Sequence, residues 1–448
     1  MSDVQTYFDE LVGWATAALT GDEVLTASLD AEDSDFVRFN HGNVRQAGSV
    51  RQRSIALDLI EGDVHVAGRL QLAQDPEIDR ARLGAMLADL REQRAVTPPD
   101  PYLAYATDVT STERIGDGVI PEPAEAIDRI QTGATDHDLV GIYAAGDTYR
   151  GFGNSLGQRN WHQSRTFNFD WSFYLSDAAA ARDRAVKNLY AGKDWDDAAF
   201  TAKIEQSTSQ LDALARPPVN LEPGRYRTYL APAAVMELIE MMAWGGFSIE
   251  AHQTKQTPLL RMVTEGASLD PSIHITEDIA NGVAPNFQGD GFLRPDDVSL
   301  IAGGVYRDCL VSPRSAKEYE VPTNGASSWE APEAVTMAGG PLAADDVLGQ
   351  LDTGLYVGNL WYLNFSDRAA CRTTGMTRFA TFWVENGEIV APANVMRFDD
   401  TAYALLGSNL VGLTSEVDTI FDPSTYEGRS SVSYRLPGAL VDDMTFTL

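Results

Sequence analysis

The chain has 448 residues, 44% of them apolar and 22% charged, with 65 Asp and Glu against 34 Lys and Arg and a formal net charge of −31. That length suits two or three domains, and the apolar fraction is enough for a sizeable core. The charge argues against nucleic-acid binding, because phosphate contacts need Lys and Arg to displace condensed counterions, and against anionic membranes for the same reason. Two cysteines, Cys309 and Cys371, make no disulfide framework. The first residues show no basic segment followed by an apolar one, and no run of about 18 apolar residues occurs, so the expectation is a cytoplasmic protein without a membrane span.

Residues 7–19 carry Phe8, Leu11, Val12, Ala15 and Leu19 at helical spacing and stop at Gly21. From residue 35 the period changes to two. Phe36, Arg38 and Asn40 alternate with Val37 and Phe39, and the run 50–60 places Ile55, Leu57 and Leu59 on one face. Glu61-Gly62-Asp63 reads as a hairpin turn into Val64-His65-Val66-Ala67, which makes an antiparallel meander. Asp75-Pro76 opens a helix through residue 94 with Ile78, Leu83, Met86, Leu87 and Leu90 inward, and a third helix is predicted over 121–132. Two alternating segments, 139–144 and 167–174, flank a Gly/Asn-rich loop. Ser176 is expected to cap an Ala- and Arg-rich helix ending near Gly192, and a further helix spans 196–215.

Arg216-Pro217-Pro218 is the best boundary in the chain, dividing an N-terminal α+β domain, 1–217, from a C-terminal mainly β domain, 218–448. Beyond it, 231–244 reads as one helix and 298–311, 379–390 and 431–436 as strands. Glu385-Asn386-Gly387 and Ala302-Gly303-Gly304 read as hairpin turns. The predicted fold class is α+β, an antiparallel sheet with helices followed by a mainly β half.

The standard catalytic signatures are missing: no GxxxxGK[ST] phosphate loop, no GxSxG elbow and no HExxH pair. Gly151-Phe152-Gly153-Asn154-Ser155-Leu156-Gly157 has glycines like a nucleotide loop, but at the wrong spacing and followed by an aromatic strand. Of the six histidines, His41, His65, His137, His162, His252 and His274, no two lie within five residues, so no local two-His metal site can form. His252, just after the 231–244 helix, reads either as a loop histidine or as one ligand of a site completed from afar. Asp296-Asp297 and Asp399-Asp400 read as solvated acidic pairs in so acidic a chain.

Several segments, in order, resemble the TldD/PmbA family of metallopeptidases and their paired subunits, once called modulators of DNA gyrase. They are Val37-Arg38-Phe39-Asn40 with its meander, Asp138-Leu139-Val140-Gly141-Ile142-Tyr143, Tyr149 to Gly157, and Asn168-Phe169-Asp170-Trp171-Ser172. Thr323-Asn324-Gly325-Ala326, Gly354-Leu355-Tyr356-Val357 and Trp383-Val384-Glu385-Asn386-Gly387 continue the match, so the resemblance covers nearly the whole chain. It implies subunits that pair around an internal cavity and trim or mature unfolded peptides, the catalytic TldD type holding zinc with HExxxH and a later cysteine. Here Met236 and Met241 stand at the two histidine positions, Glu237 matches the general-base glutamate, and the counterpart of the cysteine region, about 418–430, has no cysteine. Thioethers suit zinc poorly, and a glutamate base without a metal-bound water has nothing obvious to activate, so no metal and no cofactor are expected.

The resemblance thus implies a non-catalytic PmbA/TldE-like subunit, pairing with itself or with a TldD-like partner and holding an unfolded peptide. The alternative is an active metal-dependent peptidase with a non-standard site from Glu237, Glu240 and His252. Met236 and Met241 read as core fillers or as soft ligands. Arg150 and Asn154 either line the chamber and hold peptide backbone or a carboxylate, or belong to a turn scaffold with Arg150 paired to Asp147 or Asp170. An apolar interface is expected in so acidic a dimer, with association persisting in salt.

Overall fold

The computed structural model describes residues 3–175 and 184–447. Helix α1 (Asp3–Ala17) buries Phe8, Leu11, Val12 and Ala15, as the spacing requires. Three strands come next, β1 (Val24–Asn40), β2 (Asn43–Glu61) and β3 (Val64–Gln71), as an antiparallel meander. Helix α2 (Pro76–Arg94) begins where Asp75 accepts hydrogen bonds from the Glu77 and Ile78 amides, with Pro76 in the first turn. Its Leu83, Leu87 and Leu90 face inward, but Ile78, in the first turn, is half exposed. After β4 (Thr112–Ile115) and α3 (Pro123–Gly133) come the two long strands β5 (Asp138–Asn154) and β6 (Arg159–Tyr174), then β7 (Ala185–Gly192) and α4 (Asp197–Leu214). The first sheet runs β3-β2-β1-β5-β6-β4, with β7 beside β6.

The structure corrects two expectations. The Gly/Asn-rich loop is largely strand: β5 continues to Asn154, and only a tight turn at 155–158 separates it from β6. Its glycines serve packing. A Cβ at Gly151 would lie 2.9 Å from the Phe8 ring and one at Gly153 would lie 3.1 Å from Val12, so their absence lets α1 rest directly on the strand. The helix expected from Ser176 begins outside the described residues, and its second half is strand β7, paired from Ala185–Tyr174 to Gly192–Phe167. Burial of Ala185 and Val186 against the β6 edge overrides the helical propensity of that stretch.

The second sheet contains β8 (Gly224–Leu230), β9 (Ile275–Asp278), β10 (Asp297–Ala302), β11 (Val305–Tyr306), β12 (Ala334–Met337) and β13 (Gly354–Asp367). It continues through β14 (Arg372–Glu385), β15 (Glu388–Pro392), β16 (Arg397–Thr401), β17 (Leu410–Phe421) and β18 (Ser433–Phe446). Its order is β11-β10-β9-β12-β18-β16-β14-β13-β8, with β15 on β14 and β17 on β18. The expected strand over 298–311 ends at Tyr306, and Gly303-Gly304 makes its turn. Helix α5 (Pro232–Gly246) packs on this sheet with Val235, Leu238, Ile239 and Met242 in its main core. The fold is α+β, and no described helix is long and apolar enough to cross a membrane.

Strand β6 divides its side chains between a core and a polar face. Its odd residues Phe167, Phe169, Trp171 and Phe173 are fully buried in a core shared with α3 and α4. Each such aromatic contributes about 2–3 kcal/mol by leaving water. Period two therefore turns Ser164, Thr166, Asn168, Asp170 and Ser172 to the opposite face.

Candidate functional site

Helix α5 starts with Pro232 in its first turn and ends where Gly245 takes a positive φ of 79°. Its apolar stripe faces the core, which leaves Met236 and Glu237 on a cavity of about 140 Å³. Lys187 of β7, Asp170 of β6, Lys203 of α4 and Asp418 of β17 share this cavity. The lysines are already matched, Lys187 to Asp170 at 3.1 Å and Lys203 to Asp418 at 2.6 Å. Glu237 has no such counter-ion among the described residues. Burial, reinforced by the Glu240 carboxylate and opposed by Lys187, pushes its carboxyl up to about 7. Glu240 accepts a hydrogen bond from the Tyr434 hydroxyl at 3.1 Å.

These side chains do not fit zinc. Met236 lines the cavity with a thioether, Met241 is buried elsewhere, and the segment expected to bring a cysteine brings Asp418, held by Lys203. Among the described residues no three His, Cys, Asp or Glu side chains are grouped to hold a metal ion. His252 lies on the short helix α6 (Ile249–Gln253), beyond the far end of α5. Its Nε2 donates to the Gly246 carbonyl at 2.7 Å, and its Nδ1 accepts from the Tyr306 hydroxyl at 3.2 Å. Gly246 is nine residues beyond Glu237 and past the break in the helix at Trp244 and Gly245, and His252 is not among the residues that line the Glu237 cavity. Glu237 and His252 are therefore not brought together, and burial pulls the imidazole pKa down.

Two larger cavities adjoin the first. One, of about 380 Å³, lies between the β5–β6 face and the connection 421–431, and shares Asp170 and Pro423 with the Glu237 cavity. The other, of about 740 Å³, shares Asp422, Ser424, Arg429 and Ser430 with the middle one. The connection 421–431 thus forms a common wall. Arg150 opens on the third cavity and pairs with Asp30 at 3.0 Å. Neither acid considered from the sequence is its partner, since Asp147 pairs with Arg165 at 2.8 Å and Asp170 with Lys187. Asn154 is 1% exposed. Its amide donates to the Ala106 carbonyl and accepts from the Leu156 and Gln158 amides, so it shapes the β5–β6 turn.

Sequence reasoning found α5 and its lost ligands but missed the two lysines, Asp418 and Arg429, which come from distant elements. The polar stripe of β6 was legible as a period-two pattern. Its burial was not.

The family model for the PmbA/TldA metallopeptidase C-terminal domain matches residues 223–448. TldE from Thermococcus kodakarensis is similar in structure with a TM-score of 0.78 at 14% identity, over 98% of this chain and 100% of that one. A candidate modulator of DNA gyrase from Thermotoga maritima gives 0.74 at 15% identity, over 99% and 100% of the two chains. Another from Bacteroides thetaiotaomicron gives 0.75 at 15% identity, over 100% and 99%. At such identities the likeness is one of fold. No curated protein matches the chain.

Proposed function

The chain belongs to the PmbA/TldD metallopeptidase family, and on that premise we propose that it is a non-catalytic, PmbA/TldE-like subunit of a peptide-processing assembly. It holds unfolded peptide and pairs with itself or with a TldD-like partner that carries an intact HExxxH. The observation that supports this reading is the Glu237 cavity: beside Glu237 it holds one thioether and two lysine-paired carboxylates, a set ill suited to a zinc ion. Three neighbouring cavities along the connection 421–431 offer successive places for an extended peptide. A cytoplasmic setting belongs to the same reading, and the free thiols of Cys309 and Cys371 suit a reducing compartment.

Elemental analysis of the purified chain, with peptide cleavage assayed alone and with a TldD-like partner, tests this. The expected result is substoichiometric zinc, no cleavage alone and cleavage with the partner. One zinc per chain, lost on replacing Glu237, would overturn it. A second reading rests on the Glu237 carboxyl near 7, which is poised for proton transfer in a hydrolase acting alone. Cleavage by the isolated chain, abolished in Glu237→Gln, would establish that one instead. Light scattering should report a dimer or higher that persists in high salt.

A further inference from the structure

We propose that the 380 Å³ cavity is a binding site for the carboxylate of an extended peptide, with the Arg429 guanidinium as counter-ion and Asn168 as acceptor for a peptide N–H. This rests on the peptide-holding reading above and adds the chemistry that peptide must carry.

Ser164, Thr166 and Asn168 have the composition of a solvent-facing sheet surface, yet each is at least nine-tenths buried beneath the connection 421–431. The cover does not fill the space. Arg429 lies at its inner wall with 8% exposure. Its guanidinium donates only to neutral groups: the Gly146 carbonyl at 3.1 Å, the Thr166 carbonyl at 3.0 Å and the Thr166 hydroxyl at 2.6 Å. Glu32 accepts from the Arg429 backbone amide, and its carboxylate and that of Asp147 act on the guanidinium only through space, with no ion pair among the described residues. Burying a cation without a paired anion is costly, so a cavity beside one favours an anionic guest. Burial pulls this guanidinium down to about 10, which leaves it charged at neutral pH.

Asn168 narrows the guest further. Its Nδ2 donates to the Phe421 carbonyl at 3.4 Å, while its Oδ1 is buried without a partner among the described residues. A bare anion offers that oxygen nothing, whereas a peptide supplies an N–H beside its carboxylate. Val140, Ile142 and Ala144 of β5 give an apolar wall alongside the polar stripe. At the rim, Arg38 and Arg45 are exposed and form no ion pair among the described residues. Three arginines line the cavity against two aspartates, of which Asp170 is already paired with Lys187 and Asp422 remains, so the balance there is positive in a chain with nearly twice as many acids as bases.

The test is fluorescence anisotropy with fluorescein-labelled Ala-Val-Ala-Val-Ala as the free acid, as the C-terminal amide, and as the amide with one internal Glu. The free acid should bind the full chain at least about tenfold more tightly than the plain amide, the value of one charge-assisted contact. Recovery of affinity by the internal Glu would assign the carboxylate to a side chain. Continued weak binding would assign it to the terminus. Asn168→Asp keeps the side-chain shape and sets an internal carboxylate on the cavity that Arg429 lines, so it should erase the preference for the acid; it gives up the bond to the Phe421 carbonyl, so affinities are compared below its own melting temperature. The double variant R38Q/R45Q, at the exposed rim, should weaken capture of the acid but not of the amide. Acid and amide affinities within about twofold, or an unchanged preference in both variants, would overturn the proposal. Binding of acid and amide alike would leave the peptide-holding reading standing, whereas no binding of any peptide would remove both.

Discussion

Replacing Glu237 with glutamine should stabilise the protein at alkaline pH and do much less at acid pH. In the native cavity this carboxyl titrates at about 7 instead of 4.5, because burial and the Glu240 carboxylate disfavour its charge. A native pKa above the unfolded one means that the folded chain binds more protons between those values. Stability is therefore lost as pH rises from about 4.5 to about 7 and is constant beyond. A displacement from 4.5 to about 7 is worth about 3 kcal/mol at full ionisation. Glu237 opens on a cavity, so solvent relaxation reduces the expected effect to about 2 kcal/mol. Glutamine has the shape of the protonated acid and never ionises. Urea unfolding at pH 5, 6, 7 and 8 should show the wild type losing about 2 kcal/mol relative to Glu237→Gln between the first and last values. The high net charge affects both proteins alike and cancels in the difference. Parallel stability curves would refute the argument, because they would mean that Glu237 ionises in the cavity without penalty.

Gly151→Ala should cost about 1–3 kcal/mol, read as a lower midpoint in urea, because its Cβ would meet the buried Phe8 ring at 2.9 Å. Glu277→Gln should cost about 1–3 kcal/mol: it removes one of the two counter-ions of Arg294, 2.5 Å away and almost wholly buried, and leaves Glu333 at 3.1 Å as the other. Arg150→Ala should cost less than about 1 kcal/mol, since its pair with Asp30 is part-exposed. A matching loss of peptide binding would place Arg150 in peptide handling, while a lower melting temperature with normal binding would make it structural.

Local elements were legible where short-range chemistry decides them. Asp75-Pro76 caps α2 as expected, and the stripe Val235, Leu238, Ile239 and Met242 orients α5. The same stripe located the helix that packs on the second sheet within the part of the chain that matches the family. Sequence misled where a segment's partners lie far along the chain. Residues 185–192 read as the end of a helix, but they pair with the β6 edge as a strand and burial there outweighed propensity. Glycines 151 and 153 resembled loop residues because their packing partners, Phe8 and Val12, are about 140 residues away. The site divides in the same way. Residue identities alone put methionines on α5 and no cysteine in 418–430. Only the tertiary structure decided that Lys203 meets Asp418 across 215 residues, and that the polar face of β6 lies beneath residues 421–431 with a charged arginine against it. A period-two pattern fixes which side chains share a face, but whether that face meets water or protein depends on what later folds over it.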